Sequence, residues 1–557
     1  MSAFKMNSMT TIFASSSIEF EEKMLNPEVI EPEQPVHFGV FQFEAVENLD
    51  LKQVPRDFIF TGDNSASMED LCKDGRSKFK HSQHTLKNMV RYIHKNIPLA
   101  SVTIYSFNDK TVCIVERTAL TDENIQDVLA KIDTVYADGS TNIENALTEI
   151  KKCVNLIQET FSPENEIYHV FMTDGDVTSG SSDVSVLKKL IVSSISNYFI
   201  GFGKDHNSQL LNAICENEQN NSYRFIDTIE NSGIIYGEIM NEFLYKILTN
   251  VKVTVTNGLI YDYKNNIWTS SLTIDNIISE NKKTYHIISS SPESCIIELI
   301  GKNLQNEDIT PILFSEVNMV EQLQNYIFRQ RTMQLMYKCK IVSKGKSTYS
   351  YGRLHLETEY KVLKTELRSF LDEMKKYMEE NNLKKDKILK NLCDDIYICY
   401  HVLFRSDAQM YINSRHASQG SQRSYSARYE DERQTDNYYD APFSTSRQCS
   451  SYVVDCAASL VTESNDSEIS TIILDHQLSN FADAPYTTPR ATSMMRELSQ
   501  GVETSDIFYD DVPLESNDPE ISNNIILDDQ LCNFADEPYT TQTPRATHIM
   551  RDICREV

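Results

Sequence analysis

The 557-residue sequence predicts an α/β fold, in which a doubly wound, mostly parallel sheet is inserted in a β-sandwich and followed by a helical region and a disordered acidic tail. Three observations favour this architecture. Residues 57–250 alternate short apolar runs with amphipathic helical patterns, which is typical of βαβ units. Residues 251–317 consist of strand-like runs separated by Asn, Gly, Ser and Pro turns. Residues 413–557 contain no lysine, 10 arginines and 25 acidic residues, a net charge of −15.

In chain order, residues 1–35 are assigned to an N-terminal extension, and residues 36–56 supply a strand that joins the sandwich. Because the other sandwich strands (residues 251–317) follow the α/β domain (residues 57–250), we expect that domain to be inserted between strands of the sandwich. Within it, the strands are predicted at 57–61, 101–107, 111–117, 167–173, 197–202 and 222–226. The helices are predicted at 78–96, 142–160, 183–195, 207–217 and 232–248.

The next segment, residues 318–412, is predicted to be helical, with a loop at Gly345. Its apolar residues recur three or four positions apart, the spacing of one helix face, at Tyr360, Leu363, Leu367, Phe370, Leu371 and Met374. Four polar side chains are assigned to solvent: His81 and His84 on the first helix of the α/β domain, and Arg329 and Arg331 on a later helix. Trp268, the only tryptophan, is expected in the sandwich core.

The acidic tail contains a tandem duplication. Residues 463–492 and 515–547 share the pattern ESND-EIS-IILD, followed by NFAD-PYTT and PRAT, and a degenerate third copy, DAPFSTSR, lies at 440–447. Two or three polar copies are too few for a solenoid core. The copies are interpreted either as short motifs that dock on a partner or as a duplication with no binding role, and both interpretations stay open.

Composition excludes several classes of function. A net charge of −28 disfavours nucleic acid and anionic membrane surfaces as partners. No apolar stretch is long enough to cross a bilayer, and the N-terminus has no sustained apolar run of a signal peptide, so the protein is expected to be intracellular and not secreted. The 12 cysteines form no CxxC pair, which is typical of free thiols in a reducing compartment.

Oxygen-bearing side chains follow three of the predicted strands. The first strand leads into DNSASM (63–68), a later loop reads DGSTN (138–142), and another strand ends in TDGD (173–176). Because the carboxyl ends of parallel strands meet at one edge of a sheet, these loops are expected to converge. Carboxylates and hydroxyls without His or Cys suit a hard divalent cation such as Mg²⁺ and argue against zinc.

Asp-x-Ser-x-Ser, Gly-x-Thr-Asn and Thr-Asp-Gly, in this order and at strand ends, resemble the metal-ion-dependent adhesion site of the von Willebrand factor type A (vWA) domain. The resemblance implies a bound Mg²⁺, with Mn²⁺ or Ca²⁺ as alternatives, and an acidic side chain of a partner protein that completes its coordination. It implies the metal ligands Asp63, Ser65, Ser67, Thr141 and Asp174, with Asp176, Gly139 and Asn142 around them. Ala66 stands where the motif usually has glycine, and Gly62 where a bulkier residue is common.

The resemblance extends along the chain. A sandwich contributed from both sides of the vWA domain and a helical region after it are similar to intracellular proteins with a C-terminal vWA-interacting region. Residues 320–337, 356–403 and 410–423 carry this likeness. Together with the PYTTPRAT tail, the whole resembles uncharacterised vWA proteins of mimivirus-like giant DNA viruses, which implies a location in the host cytoplasm.

We therefore predict a non-enzymatic interaction module that binds an exposed Asp or Glu of an unidentified protein through Mg²⁺. One alternative is an assembly scaffold that acts mainly through the tail repeats. The other is a Mg²⁺-dependent enzyme, because a bound metal can act as a Lewis acid. The sequence has no phosphate loop, and Ser65 and Ser67 have no motif-linked histidine as a base, which disfavours the enzyme. The partner and the oligomeric state are left open.

Overall fold

The structure is a computed structural model that describes residues 4–15, 36–47, 55–72, 75–161, 165–203, 206–216, 220–226, 232–303, 307–344, 353–405 and 407–423, together with Arg490 and Met494. All of them lie in the first of two units, Met1–Val502, and the second unit, Glu503–Val557, lies outside the described residues. The predicted disorder of the tail, its repeats apart from Arg490 and Met494, and the loop at Gly345 also lie outside them.

The strands are β1 Phe4–Ala14, β2 His37–Glu47, β3 Arg56–Asp63, β4 Ala100–Phe107, β5 Thr111–Ala119, β6 Glu166–Thr173, β7 Ser196–Phe202, β8 Asn221–Ile226, β9 Lys246–Thr256, β10 Leu259–Asp262, β11 Ile267–Thr269, β12 Ser271–Thr273, β13 Ile277–Ile278, β14 Lys283–Ser289, β15 Ile296–Lys302, β16 Ile312–Phe314 and β17 Val317–Val320. The helices are α1 Lys78–Asn96, α2 Ile125–Asp133, α3 Ile143–Thr160, α4 Val184–Lys188, α5 Ser208–Cys215, α6 Ser232–Tyr245, α7 Gln324–Lys344, α8 Arg353–Glu380, α9 Lys387–Val402 and α10 Ala408–Ser421.

The predicted α/β domain is a six-stranded sheet in the order β5-β4-β3-β6-β7-β8. All neighbours are parallel except β5, which is antiparallel to β4 at one edge. From β3 the chain continues to β4 on one side, and from β6 it continues to β7 on the other. The chain therefore changes direction across the sheet between the neighbouring strands β3 and β6. This is the topological switch point, and ligands bind outside the carboxyl ends of the strands at such points in open α/β sheets. The predicted fold class is confirmed, and its six strands lie where the sequence predicted them.

One predicted helix is shorter than expected. The segment predicted as 183–195 forms only the short α4, which begins after Asp183, whose side chain accepts from Ser185 N and Val186 N. The residues that follow, KLIVSSI, include β-branched residues and serines, which are weak helix formers.

The sandwich consists of two sheets that pack face to face. One has the order β11-β10-β14-β2-β1-β17, and the other β12-β9-β15-β16, with β13 paired to β9. Their shared core buries the side chains of Phe13, Phe41, Phe43, Val253, Ile297 and Leu299. Because β1 and β2 precede the α/β domain and the remaining strands follow it, that domain is inserted in the sandwich. Trp268 is buried, but in a separate cluster with Phe38, Tyr261 and Met333, and not in the core between the two sheets where it was expected.

Two features of the sandwich differ from the sequence prediction. The segment assigned to an extension contains β1, which pairs with β2 and β17. A β-bulge between Met6 and Ser8 shifts the register of β1, so the strand lacks the regular alternation by which it could be recognised. One of the strand-like runs predicted within residues 251–317, IWTSSLTI at 267–274, forms two short strands, β11 and β12, in different sheets.

The helical region packs α7 to α10 together, and the apolar face predicted on α8 is buried at all six positions, from Tyr360 to Met374. Its C-terminal limit is later than predicted. Residues 413–421, assigned to the tail, form most of α10 and bury polar side chains, among them Arg415 and Gln419. Both contact Asp395 on α9, each at 2.6 Å. Among the described helices, none combines the length and apolar composition needed to span a bilayer.

Candidate metal centre

The site lies at the carboxyl edge of the sheet, at the switch point between β3 and β6. Asp63 is the last residue of β3, and Asp174 directly follows β6. The two strands are hydrogen-bonded neighbours, with Gly62 paired to Met172. Both carboxylates are buried. Parallel strand pairing therefore brings together residues that are more than a hundred positions apart in the sequence.

Asp63 organises the base of the site. Its Oδ1 accepts from the backbone N–H of Ser65 at 2.8 Å, and its Oδ2 accepts from Thr173 Oγ1 at 2.5 Å. Burial raises the pKa of Asp63 to about 6, although the hydrogen bonds from Thr173 and Ser65 oppose this shift. A nearby cation would favour the charged carboxylate and lower this pKa.

The first loop brings two serine hydroxyls next to Asp174. Ser65 Oγ lies 3.1 Å from Ser67 Oγ, and Ser67 Oγ donates to Asp174 Oδ1 at 2.7 Å. The loop continues into a short 3-10 turn, Ala66–Glu69, whose Met68 side chain is fully buried. Ala66 is exposed, and its N–H donates to Gly139 O at 3.1 Å. The alanine that replaces the usual glycine is therefore accommodated at the surface.

The second loop positions Thr141. Its backbone N–H donates to Thr178 Oγ1 at 2.8 Å, and the N–H of Asp138 donates to Asn64 O at 2.7 Å, which ties this loop to the first. Gly139 has φ +78°, a left-handed conformation that glycine adopts without strain. Thr141 itself is buried.

Gly175 leaves space between the hydroxyls. A Cβ added to Gly175 would lie 3.4 Å from Ser67 Oγ and 3.5 Å from Thr141 Oγ1. A Cβ at this position would therefore contact both hydroxyls, and glycine leaves free the small space that they flank. Asp63, Ser65, Ser67, Thr141 and Asp174 are all brought together here, as the sequence predicted.

The three neighbouring residues named from the sequence have different places. Asp176 is exposed at the rim of the site. The side chain of Asn142 accepts from Asn145 N at 3.0 Å and caps α3, so its carbonyl oxygen is engaged in starting that helix. Gly139 provides the turn in the second loop.

Lys78, which the sequence analysis did not single out, contacts the site directly. Its Nζ donates to Asp174 Oδ2 at 2.8 Å and to Asp70 Oδ2 at 3.1 Å. Burial disfavours its charge, but the hydrogen bonds and attraction from Asp174 and Asp70 outweigh burial and raise the pKa of Lys78. Lys78 is the first residue of α1, and no motif distinguishes it from a solvated lysine.

The donor set fits a hard divalent cation. Three hydroxyls and two carboxylates converge beside a glycine that leaves room, and such oxygen ligands are those that Mg²⁺ prefers. The proposed site has only two carboxylates, so it is not a cluster of three or more His, Cys, Asp or Glu side chains. No such cluster that could hold a metal is found among the described residues.

Residues 57–236 match the family model of the von Willebrand factor type A domain. Among solved structures, a von Willebrand factor type A protein from Catenulispora acidiphila is 9% identical, with a TM-score of 0.42, over 74% of this chain and 89% of that one. The ArnB paralog VWA2 from Sulfolobus acidocaldarius is 12% identical, with a TM-score of 0.40, over 76% and 98%. Mussel byssus proximal thread matrix protein 1, with a zinc-occupied MIDAS motif, is 14% identical, with a TM-score of 0.29, over 37% and 50%. No curated protein sequence matches the chain.

Proposed function

We propose, from the premise that residues 57–236 form a vWA domain, that this protein binds an acidic side chain of a partner protein through a Mg²⁺ ion. The observation that carries the proposal is the convergence of Ser65, Ser67 and Thr141 with Asp174 around Gly175. These residues and Asp63 would hold the cation. When bound, Mg²⁺ supplies positive charge and an open coordination position.

The charge balance of the site favours an acidic partner group. Asp63 and Asp174 together contribute two negative charges, and the ammonium of Lys78 offsets part of this charge at Asp174. The hydroxyls of Ser65, Ser67 and Thr141 are neutral. A divalent cation would therefore remain under-neutralised, and an incoming Asp or Glu would supply both charge and an oxygen ligand. Mn²⁺ and Ca²⁺ prefer the same oxygen donors and remain alternatives to Mg²⁺.

The enzyme alternative gains no free base from His206. Burial lowers the pKa of His206 to about 4, although the charges of Asp174 and Asp176 oppose this shift. Its two ring nitrogens contact Gly203 O at 2.8 Å and Tyr223 Oη at 2.6 Å. Since a carbonyl only accepts, Nδ1 donates and Nε2 accepts from Tyr223. This imidazole is engaged on both sides, and a non-enzymatic role stays our prediction.

The location and source of the protein also stay predictions from the sequence. The likeness to vWA proteins of giant viruses would place the chain in the host cytoplasm, where its free cysteines would be reduced. The helical region packs on the α/β domain through core residues such as Phe328 and Met336. It is proposed to support that domain as a vWA-interacting region.

Thr141→Ala is expected to abolish metal-dependent partner binding without unfolding the chain. The matched control is Ser140→Ala, which removes the neighbouring hydroxyl, bonded to Asp109 and outside the proposed ligand set. Full-length wild type and both variants are each used for affinity capture from host-cell lysate, in Mg²⁺ or in EDTA. Quantitative mass spectrometry then measures the captured proteins. Each captured protein is then purified and tested for direct binding.

Partners of the site should be retained by wild type and by Ser140→Ala in Mg²⁺, and reduced at least about tenfold by EDTA or by Thr141→Ala. Replacing one exposed Asp or Glu of the purified partner by Asn or Gln should have the same effect. Equal recovery with Thr141→Ala and wild type would show that the site does not carry partner binding.

A further inference from the structure

Two tail residues, Arg490 and Met494, contact the body of the protein. Arg490 Nη2 donates to Glu280 Oε1 at 2.7 Å, and the guanidinium carbon lies 3.9 Å from the centre of the Tyr245 ring. A charge-assisted hydrogen bond and a cation–π contact thus act on one side chain. Arg490 is therefore held by a specific pair of groups and not by general attraction to an acidic surface.

Met494 provides an apolar anchor four residues later. It is only 2% exposed and belongs to the core cluster of the α/β domain and the helical region. Arg490 and Met494 are each in helical conformation, four positions apart in the sequence. The pattern Arg-x-x-x-Met therefore presents a cation and an apolar side chain to the body of the protein.

The surface that receives Arg490 is built from two elements. Tyr245 ends α6, and Glu280 lies in the turn between β13 and β14. The N–H of Ser279 donates to Tyr245 O at 2.7 Å, and the N–H of Glu280 donates to Ala45 O at 2.8 Å. These backbone bonds hold the end of α6 and the turn that carries Glu280 next to each other within the body of the protein.

The second tail copy repeats the arginine and has an apolar residue at the position of Met494. Arg490 and Met494 belong to the first copy of the duplication, PRATSMMRE, and the second copy reads PRATHIMRD. Aligned without gaps, Arg545 corresponds to Arg490 and Ile549 to Met494. The degenerate third copy keeps an arginine, Arg447, but has a serine, Ser451, four positions later.

We propose that the surface formed by Tyr245 and Glu280 is a recognition site for an Arg-x-x-x-Met/Ile motif, and that the second tail copy of another molecule of this chain is its further ligand. The first copy binds the surface within its own chain. The second copy carries the same cation and an apolar side chain of similar size at the same spacing, so it competes for the same surface. Binding between molecules then links one chain to the next.

Competition within the chain sets the conditions for this link. The first copy is tethered to the surface through its own chain, so a copy from another molecule must compete with the effective concentration that this tether provides. Chains are therefore expected to associate only at high local concentration, or when the first copy is displaced or changed.

The test uses full-length protein in which both copies are disabled, Arg490→Ala, Met494→Ser, Arg545→Ala and Ile549→Ser, so that the surface is free. Fluorescent peptides of residues 486–497, 541–552 and 443–454 represent the three copies, and binding is measured by anisotropy. The third peptide is a natural matched control, because it has the arginine without the apolar anchor. Circular dichroism checks that this variant with four substitutions is folded. If it unfolds, it is replaced by the double variant Arg490→Ala with Arg545→Ala, which keeps Met494.

We expect the first two peptides to bind with dissociation constants within about tenfold of each other, and the third to bind at least about tenfold more weakly. Glu280→Gln in the recipient should weaken the first two by about tenfold, since it removes the charged partner of the arginine. Binding of the first peptide without the second would mean that the duplication has no binding role. Equal binding of all three, or binding unaffected by Glu280→Gln, would overturn the proposed site.

Discussion

Asp174→Ala is expected to lower the affinity of the full-length chain for Mg²⁺ by at least about a hundredfold. Removing a residue that only orients a metal ligand already lowers metal affinity by about 10- to 100-fold, and the loss of a ligand itself should cost at least as much. Asp174 is fully buried at the switch point and supplies one of the two carboxylates of the site. Isothermal titration of metal-free protein with Mg²⁺, repeated with Mn²⁺, measures the change. Circular dichroism shows whether the variant stays folded.

Lys78→Met is the control for the same experiment, because its Mg²⁺ affinity is expected to change in the opposite direction. It removes an ammonium that lies 2.8 Å from Asp174 Oδ2, while the methionine keeps most of the side-chain length. Because a positive charge beside the site opposes a second cation, Mg²⁺ affinity is expected to rise severalfold. If neither variant alters Mg²⁺ binding, or if both weaken it equally, the assignment of these residues is wrong.

Arg415→Met is expected to lower the free energy of unfolding by about 3–5 kcal/mol, the usual cost of breaking a buried ion pair from one side. Arg415 Nε donates to Asp395 Oδ1 at 2.6 Å, and both side chains are almost completely buried. Burial raises the pKa of Asp395 even though Arg415 opposes this shift, so the carboxylate depends on its partners to remain charged. Urea unfolding followed by circular dichroism measures the loss.

The matched control removes both charges. In the double variant Arg415→Met with Asp395→Leu, no charge is left unpaired, although Gln419 loses one acceptor. Its stability should recover by several kcal/mol relative to the single variant, because replacing both partners by apolar groups is often neutral. A single variant that costs less than about 1 kcal/mol would show that this pair does not hold α9 against α10.

The α/β domain was predictable because its signals are local. Each of its strands is a short apolar run, and each ligand of the proposed site lies within a recognisable motif. Asp63 and Asp174 stand at strand ends, whereas Thr141, predicted to follow a strand, lies in the loop between α2 and α3. The polar contacts that join distant elements carry no such signal. Arg329 was assigned to solvent, yet it is buried and donates to Thr284 O at 3.1 Å and Gln419 O at 2.7 Å, which are acceptors far away in the sequence.

The first helix shows the same limit. His81 and His84 were predicted to be surface groups, but His81 is buried, and burial lowers the pKa of His84 to about 4. Lys78 precedes them on α1 and was missed altogether. Its role depends on Asp174, which is brought to it only by the pairing of β3 with β6. Such contacts follow from the assembled fold and not from the local pattern.

The most direct test of the metal site is an anomalous difference map from crystals of the full-length protein soaked in Mn²⁺. The proposed site predicts one strong peak within about 2.0–2.6 Å of the hydroxyl oxygens of Ser65 and Ser67, the range of divalent cation–oxygen bonds, and close to Thr141 and Asp174. A map with no peak at that edge of the sheet, or with its peak elsewhere on the chain, would contradict it.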